Sequence, residues 1–137
     1  MLKSGAIYKG QFIEGKAEGY GELSYQPNGL YLGHWYNDLK HGRNCKEVWP
    51  DKTTYEGGYS MGKMHGRGLL IYMNGAMYHG EFENGEITGH GIFIWPEGKR
   101  YEGQWKSGKM HGRGIMKWSN GNEYTGQWVC LISNYTT

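Results

Sequence analysis

Aliphatic side chains are scarce. Leu, Ile, Val and Phe together make 21 of the 137 residues, about 15%, below the roughly 20% at which a highly charged chain stays disordered. High net charge is also missing. Fifteen Lys and Arg against thirteen Asp and Glu leave a formal +2, so disorder does not follow, and neither does a nucleic-acid footprint. No apolar run approaches the ~18 residues of a membrane span, and Met1–Gly5 lacks the apolar stretch of a signal peptide; the expectation is an intracellular chain. Cys45 and Cys130, the only two cysteines, stand far apart with no CxxC, the usage of free thiols in a reducing compartment. Asn134-Tyr135-Thr136 matches a glycosylation acceptor but is read as chance without a secretory signal. What abounds is 25 Gly, 12 Tyr and 6 Trp. A core built from these is aromatic rings set beside glycines, which is a β composition.

The chain repeats. Tyr8, Tyr31, Tyr55, Tyr78, Tyr101 and Tyr124 follow one another at 23 or 24 residues, a regularity that means stacked structural units. Each opens Y-x-G-x-aromatic, from Tyr8/Gly10/Phe12 to Tyr124/Gly126/Trp128, with the two-residue spacing of a strand. A six-residue loop and a closing glycine follow, fullest as Gly62-Lys63-Met64-His65-Gly66-Arg67 with Gly68 and repeated identically at 108–114. A second apolar run such as Leu69–Tyr72, Ile92–Trp95 or Ile115–Trp118 then closes on a turn like Met73-Asn74-Gly75 or Ser119-Asn120-Gly121; Asn-Gly between apolar runs signals a hairpin. The reading is all-β: a single-layer antiparallel meander of about eleven strands in one domain, 1–137. Its units are 8–30, 31–54, 55–77, 78–100, 101–123 and a partial 124–137.

Alternation sets the faces. Tyr, Gly and second aromatic of each strand share one side, with residues such as Lys9, Gln11, Glu102 and Gln104 on the other. Rings are expected to lie over glycines of neighbouring strands, where a bare Cα leaves room, and Gly15, Gly62, Gly85 and Gly108 to take positive φ. The second unit departs from the pattern: Asp38 and Asn44 replace loop glycines, Lys52 replaces the turn glycine, and one residue is added between Gly42 and Trp49. Either a β-bulge or a longer turn at Pro50-Asp51-Lys52 accommodates it. At the far end Leu131 stands where a loop glycine belongs. The array is therefore expected to expose an edge with Cys130, Leu131 and Ile132, covered by a partner or a second copy, or else to be a shortened form of a longer array.

These residues resemble the MORN (membrane occupation and recognition nexus) repeat, whose pattern runs close to Y-x-G-x-W-x-x-G-K-x-H-G-x-G. Five full copies and a half copy cover residues 8–128. The resemblance implies an elongated, twisted, grooved sheet, generally non-catalytic, that serves as a scaffold or docking platform and in some members is associated with phosphoinositides. Tandem arrays of this kind also resemble proteins of ciliary and flagellar assemblies, among them the radial-spoke-head group, which implies a cytoskeletal or axonemal setting.

Catalytic and metal signals are weak. The G-x-G pairs at 19/21, 66/68, 89/91 and 112/114 lack the third glycine and following helix of a dinucleotide fingerprint, and no G-x-S-x-G elbow occurs. His41, His65 and His111 recur at one loop position, but adjacent units are about 10 Å apart, so one metal at about 2 Å cannot reach two of them. They are read as hydrogen-bonding their own hairpins, as Glu18 and Thr88 would in the same place. No catalytic residue, metal or cofactor is expected. Two surfaces remain. The aromatic stripe Tyr31, Trp35, Tyr55, Tyr78, Phe82, Tyr101 and Trp105 is the candidate groove for a peptide or helix of a protein partner. The basic loop edge, Lys16, Lys40, Arg43, Lys63, Arg67, Lys109 and Arg113, is the alternative, able to meet anionic lipid or to discourage sheet-to-sheet pairing.

Overall fold

Alternating rings and polar side chains commit each half-unit to a strand, and the computed structural model, which describes residues 5–129, joins these strands into one antiparallel sheet without helices among the described residues. The strands are β1 (Ile7–Ile13), β2 (Lys16–Tyr25), β3 (Gly29–Tyr36), β4 (Leu39–Lys40), β5 (Gly42–Val48), β6 (Thr54–Ser60), β7 (Lys63–Ile71), β8 (Met77–Glu83), β9 (Glu86–Ile94), β10 (Arg100–Lys106), β11 (Lys109–Lys117) and β12 (Glu123–Trp128). Spatial order follows chain order, with the two-residue β4 pairing β3 beside the main path. The edge strand β12 pairs β11. Cys130, Leu131 and Ile132, on which the exposed-end expectation rested, lie outside the described residues.

The expected six-residue loop is instead a two-residue turn running straight into a bulged strand. Both central residues of each turn have positive φ, as in Met61 (50°) with Gly62 (90°) and Ser107 (49°) with Gly108 (79°), the type I′ geometry that matches the twist of a hairpin. After the turn, Tyr59 pairs Met64 and Gly57 pairs Gly68, so two extra residues bulge from the return strand. Gly66 carries the bulge at φ 80°, where a side chain is strained. The turns also join hairpins: Asp38 N–H donates to Ala17 O, Gly62 to Lys40 O, Gly85 to Met64 O and Gly108 to Ile87 O, at 2.8–3.0 Å.

The extra residue of the second hairpin is a bulge, with a register shift between Gly42↔Tyr59 and Cys45↔Gly57. The turn after it is no longer than its siblings. Trp49 N–H bonds Thr53 O at 2.9 Å and Lys52 N–H bonds Trp49 O at 2.8 Å, the same pair of bonds made by Tyr72, Gly75 and Ala76. Asp38 (φ 70°) occupies a left-handed position that the other units give to glycine, and Lys52 (φ 77°) one held by glycine in the last three full units and by Asn28 (φ 67°) in the first. Asn44 does not: Cys45 takes the second glycine's place, opposite Gly57, because the added residue shifts the register by one.

Glycines form a file across the sheet. Gly57, Gly68, Gly80, Gly91, Gly103, Gly114 and Gly126 sit opposite one another on seven successive strands. Tyr8, Tyr55, Tyr78 and Tyr101 each lie over their own strand's glycine and that of the hairpin mate, while Tyr31 lies over Gly33 and against Cys45. The hydroxyl of each unit's first tyrosine donates to the carbonyl three residues on: Tyr8 to Gln11, Tyr31 to His34, Tyr55 to Gly58, Tyr78 to Glu81, Tyr101 to Gln104 and Tyr124 to Gln127, at 2.8–3.1 Å. The second aromatic meets this ring edge-on and meets the preceding unit's tyrosine in the same way, as in Tyr55–Phe82 (5.3 Å), Phe82–Tyr78 (5.2 Å), Tyr78–Trp105 (5.7 Å) and Trp105–Tyr101 (5.2 Å). This herringbone runs from Tyr8 to Tyr124, each pair contributing about 0.5–1.5 kcal/mol beyond area burial. It is how one layer makes a core with few aliphatics.

The file predicts the cost of any side chain in it. A Cβ on Gly103 would stand 2.5 Å from Gly114 Cα and 2.6 Å from Arg113 O, backbone that cannot move without parting β10 from β11. Gly103→Val should therefore lose about 1–3 kcal/mol, the range for overpacking. A thermal midpoint equal to that of the parent chain would refute the file.

Candidate partner-binding faces

The seven aromatics expected to line a groove are core. Tyr31, Tyr78 and Tyr101 are 0% exposed, Tyr55 1%, Phe82 3%, and Trp35 and Trp105 8%. The herringbone seals their faces, so they support a surface and do not form one. Burial pushes the hydroxyls of Tyr78 and Tyr101 up to about 12, which keeps them neutral donors to their carbonyls.

The reachable rings on this inner face belong to the return strands. Tyr25 ends its return strand, and Trp49, Tyr72, Trp95 and Trp118 directly follow theirs, each just before the three-residue turn. Trp49, Tyr72 and Trp95 are half-buried against the core, and Trp118 is 40% exposed. Phe93, two residues before Trp95, packs against it with ring centroids 4.7 Å apart and planes tilted by 49°, and Lys99 lays its ammonium 4.5 Å from the Trp95 ring centroid, a cation–π arrangement. The signal was in the sequence: these five rings keep the 23–24-residue period and the parity of Gly114 and Met116.

A second feature missed by the sequence reading is a buried ion pair. Opposite the first tyrosine, sibling hairpins place Leu70, Phe93 or Met116; the second places Glu47. Opposite the second aromatic they place Met64, Ile87 or Met110; the second places Lys40. Glu47 is 1% exposed. Its carboxylate accepts from Lys40 Nζ at 2.8 and 2.9 Å and from the hydroxyls of Tyr25 and Tyr59 at 2.5 Å each. Burial first, then the Glu47 charge, hold the Tyr59 hydroxyl far above its ordinary pKa. Paired substitution of two apolar positions was the available clue.

This corrects the basic edge. Lys40 points inward, onto Glu47. Lys16, Lys63 and Lys109 are exposed directly after their turns, but the fourth hairpin interrupts the row with Glu83 opposite Glu86. Arg43, Arg67 and Arg113 are exposed on return strands, where Arg67 lies opposite Glu81 of β8 with its guanidinium 3.8 Å from the carboxylate. The histidines also differ from expectation. His41 Nδ1 accepts from Met61 N–H at 3.2 Å, in the next hairpin's turn and not its own, and Glu18 accepts likewise from Asn37 N–H at 3.1 Å. His111 Nδ1 is buried without a partner. Among the described residues no three potential metal ligands come together.

A comparison with curated proteins finds no match. The family model for the MORN repeat matches residues 8–29, 31–54, 55–77, 78–100 and 101–123, bounds that coincide with the hairpin pairs almost to the residue. This repeat is generally a non-catalytic module for binding or scaffolding. With five matched copies whose tyrosines, glycines and second aromatics build the single-layer sheet, the chain belongs to the MORN-repeat family.

Proposed function

We propose that the chain is a non-enzymatic scaffold that holds a peptide or helix of a protein partner along its inner face, within a cytoskeletal or ciliary assembly. The observation that carries this reading is the row of half-exposed rings, Tyr25, Trp49, Tyr72, Trp95 and Trp118, set on a rigid aromatic core. Tyr and Trp are the residues enriched at interface hot spots, and fixed rings lose little entropy on binding. Trp95→Ala combined with Trp118→Ala should remove the polypeptides retained from cell extract by the parent chain, an expected loss of 2 kcal/mol or more, roughly thirtyfold in affinity. Retention of the same polypeptides at physiological salt by the folded double variant would reject the reading.

Anionic lipid is the second reading, favoured by the exposed Lys16, Lys63 and Lys109 along one rim. Each contributes roughly 1 kcal/mol near an anionic surface, and the Glu83/Glu86 interruption weakens the row. Vesicle binding by this route is weak and lost as salt rises; strong, salt-resistant sedimentation with phosphoinositide vesicles would favour lipid over the protein partner.

A further inference from the structure

On the opposite, outer face, the bulge of a hairpin turns one backbone N–H away from the ladder, and a side chain of the same hairpin normally answers it. Gln11 Oε1 accepts from Tyr20 N–H at 2.7 Å, Glu81 Oε1 from His90 N–H at 3.1 Å, and Gln104 Oε1 from Arg113 N–H at 2.7 Å. In the third hairpin the equivalent N–H is that of Arg67, and the residue that should answer it is Gly58. No side-chain oxygen among the described residues accepts from it. The space is open as well. A Cβ on Gly19, Gly89 or Gly112 would run into the answering side chain, whereas one on Gly66 would meet nothing within 4 Å.

This opening lies in a groove of about 860 Å³. The walls carry Arg43, Lys46 and Arg67 with His41, His65 and His79, against one lining acid, Glu56, whose carboxylate is 3.5 Å from Lys46; the Glu81 carboxylate lies 3.8 Å from the Arg67 guanidinium. The extra residue in β5 belongs to the wall that carries His41 and Arg43. Cations therefore outnumber acids in the groove, and the N–H at its floor is answered by no side chain.

We propose that the groove binds an acidic peptide segment, one glutamate of which sets its carboxylate on Arg67 N–H in the position that Gln11, Glu81 and Gln104 fill in their own hairpins. Glu81 shows that a carboxylate of this reach fits the bulge, and the surrounding charge selects glutamate over glutamine. The site is on the face opposite the ring row and does not rest on the reading given above.

The test is amide NMR of the full chain titrated with acetylated, amidated hexaglutamate, and in separate arms with inorganic phosphate and with phosphoinositide vesicles. Arg67 N–H should shift most with the peptide, together with Gly58 and Gly66. Gly58→Gln should answer the N–H internally, abolish the Arg67 response and weaken binding at least tenfold. The His65 carbonyl lies where that Cβ would go, so the bulge must open to sibling geometry. Arg43→Ala with Lys46→Ala, both exposed, provides a second variant and should also weaken binding about tenfold. A peptide that fails to bind, or binds while Arg67 N–H stays still, or binds both folded variants as tightly as the parent, overturns the proposal. A response at Arg67 to phosphate or vesicles without one to the peptide does so too.

Discussion

Lys40→Met is expected to lower the unfolding free energy by about 3–5 kcal/mol, the cost of leaving one member of a buried pair uncompensated. Glu47 would keep its two tyrosine donors but lose the one cation that the described residues set against its carboxylate, at 1% exposure. Against a total of ~5–15 kcal/mol for an ordinary domain, the melting temperature should fall by on the order of 10–20 °C. The informative partner is the triple variant Lys40→Met, Glu47→Leu, Tyr59→Phe, which rebuilds the apolar interior of a sibling hairpin around Met64 and Leu70. Replacing a buried pair by packed apolar groups is often neutral or stabilising, so the triple should recover most of the loss. A single variant as stable as the parent would show that the pair is not buried as described.

Tyr78→Ala should cost a similar amount, about 3–5 kcal/mol, the range for truncating a large buried ring. Tyr78 is 0% exposed, meets Phe82 and Trp105 edge-on at 5.2 and 5.7 Å, and covers Gly80 and Gly91. Its hydroxyl donates to Glu81 O at 3.0 Å. Tyr78→Phe keeps the ring and loses that bond with a longer one to His90 O at 3.5 Å, so about 1 kcal/mol is expected. Thermal melts of the two variants separate the terms. Equal losses would mean that the hydroxyl, not the herringbone, holds the units together. Because each unit leans on its neighbours, the alanine variant should also raise hydrogen exchange in β8 and the strands beside it before it does so in β2 and β3.

The same pattern of residues was legible in one respect and opaque in another. Tyr78, Gly80 and Phe82 announce a strand and its inner face by spacing alone. Spacing does not say whether such a ring is covered, and the seven aromatics taken for a groove proved to be core because each ring is sealed by one from an adjacent unit, a contact between residues more than twenty positions apart. Trp95 and Trp118, with the same period, stay reachable because they stand at the turn, where no further ring follows. Lys40 reads as one more loop cation until register places it beside Glu47. Gly58 reads as a harmless doubling of Gly57 until the bulge in β7 shows which N–H its missing side chain would have answered.

The sequence by itself determined the repeat, the all-β class, the hairpin order and the glycines that must take positive φ, because these follow from local sterics and from a periodicity that every copy states again. Only the tertiary structure decided which rings are buried, which charges are paired and which donors are left open. Those depend on how one strand registers against the next, and two extra residues per bulge, three in the second hairpin, move a side chain from one partner to another without any change in local preference.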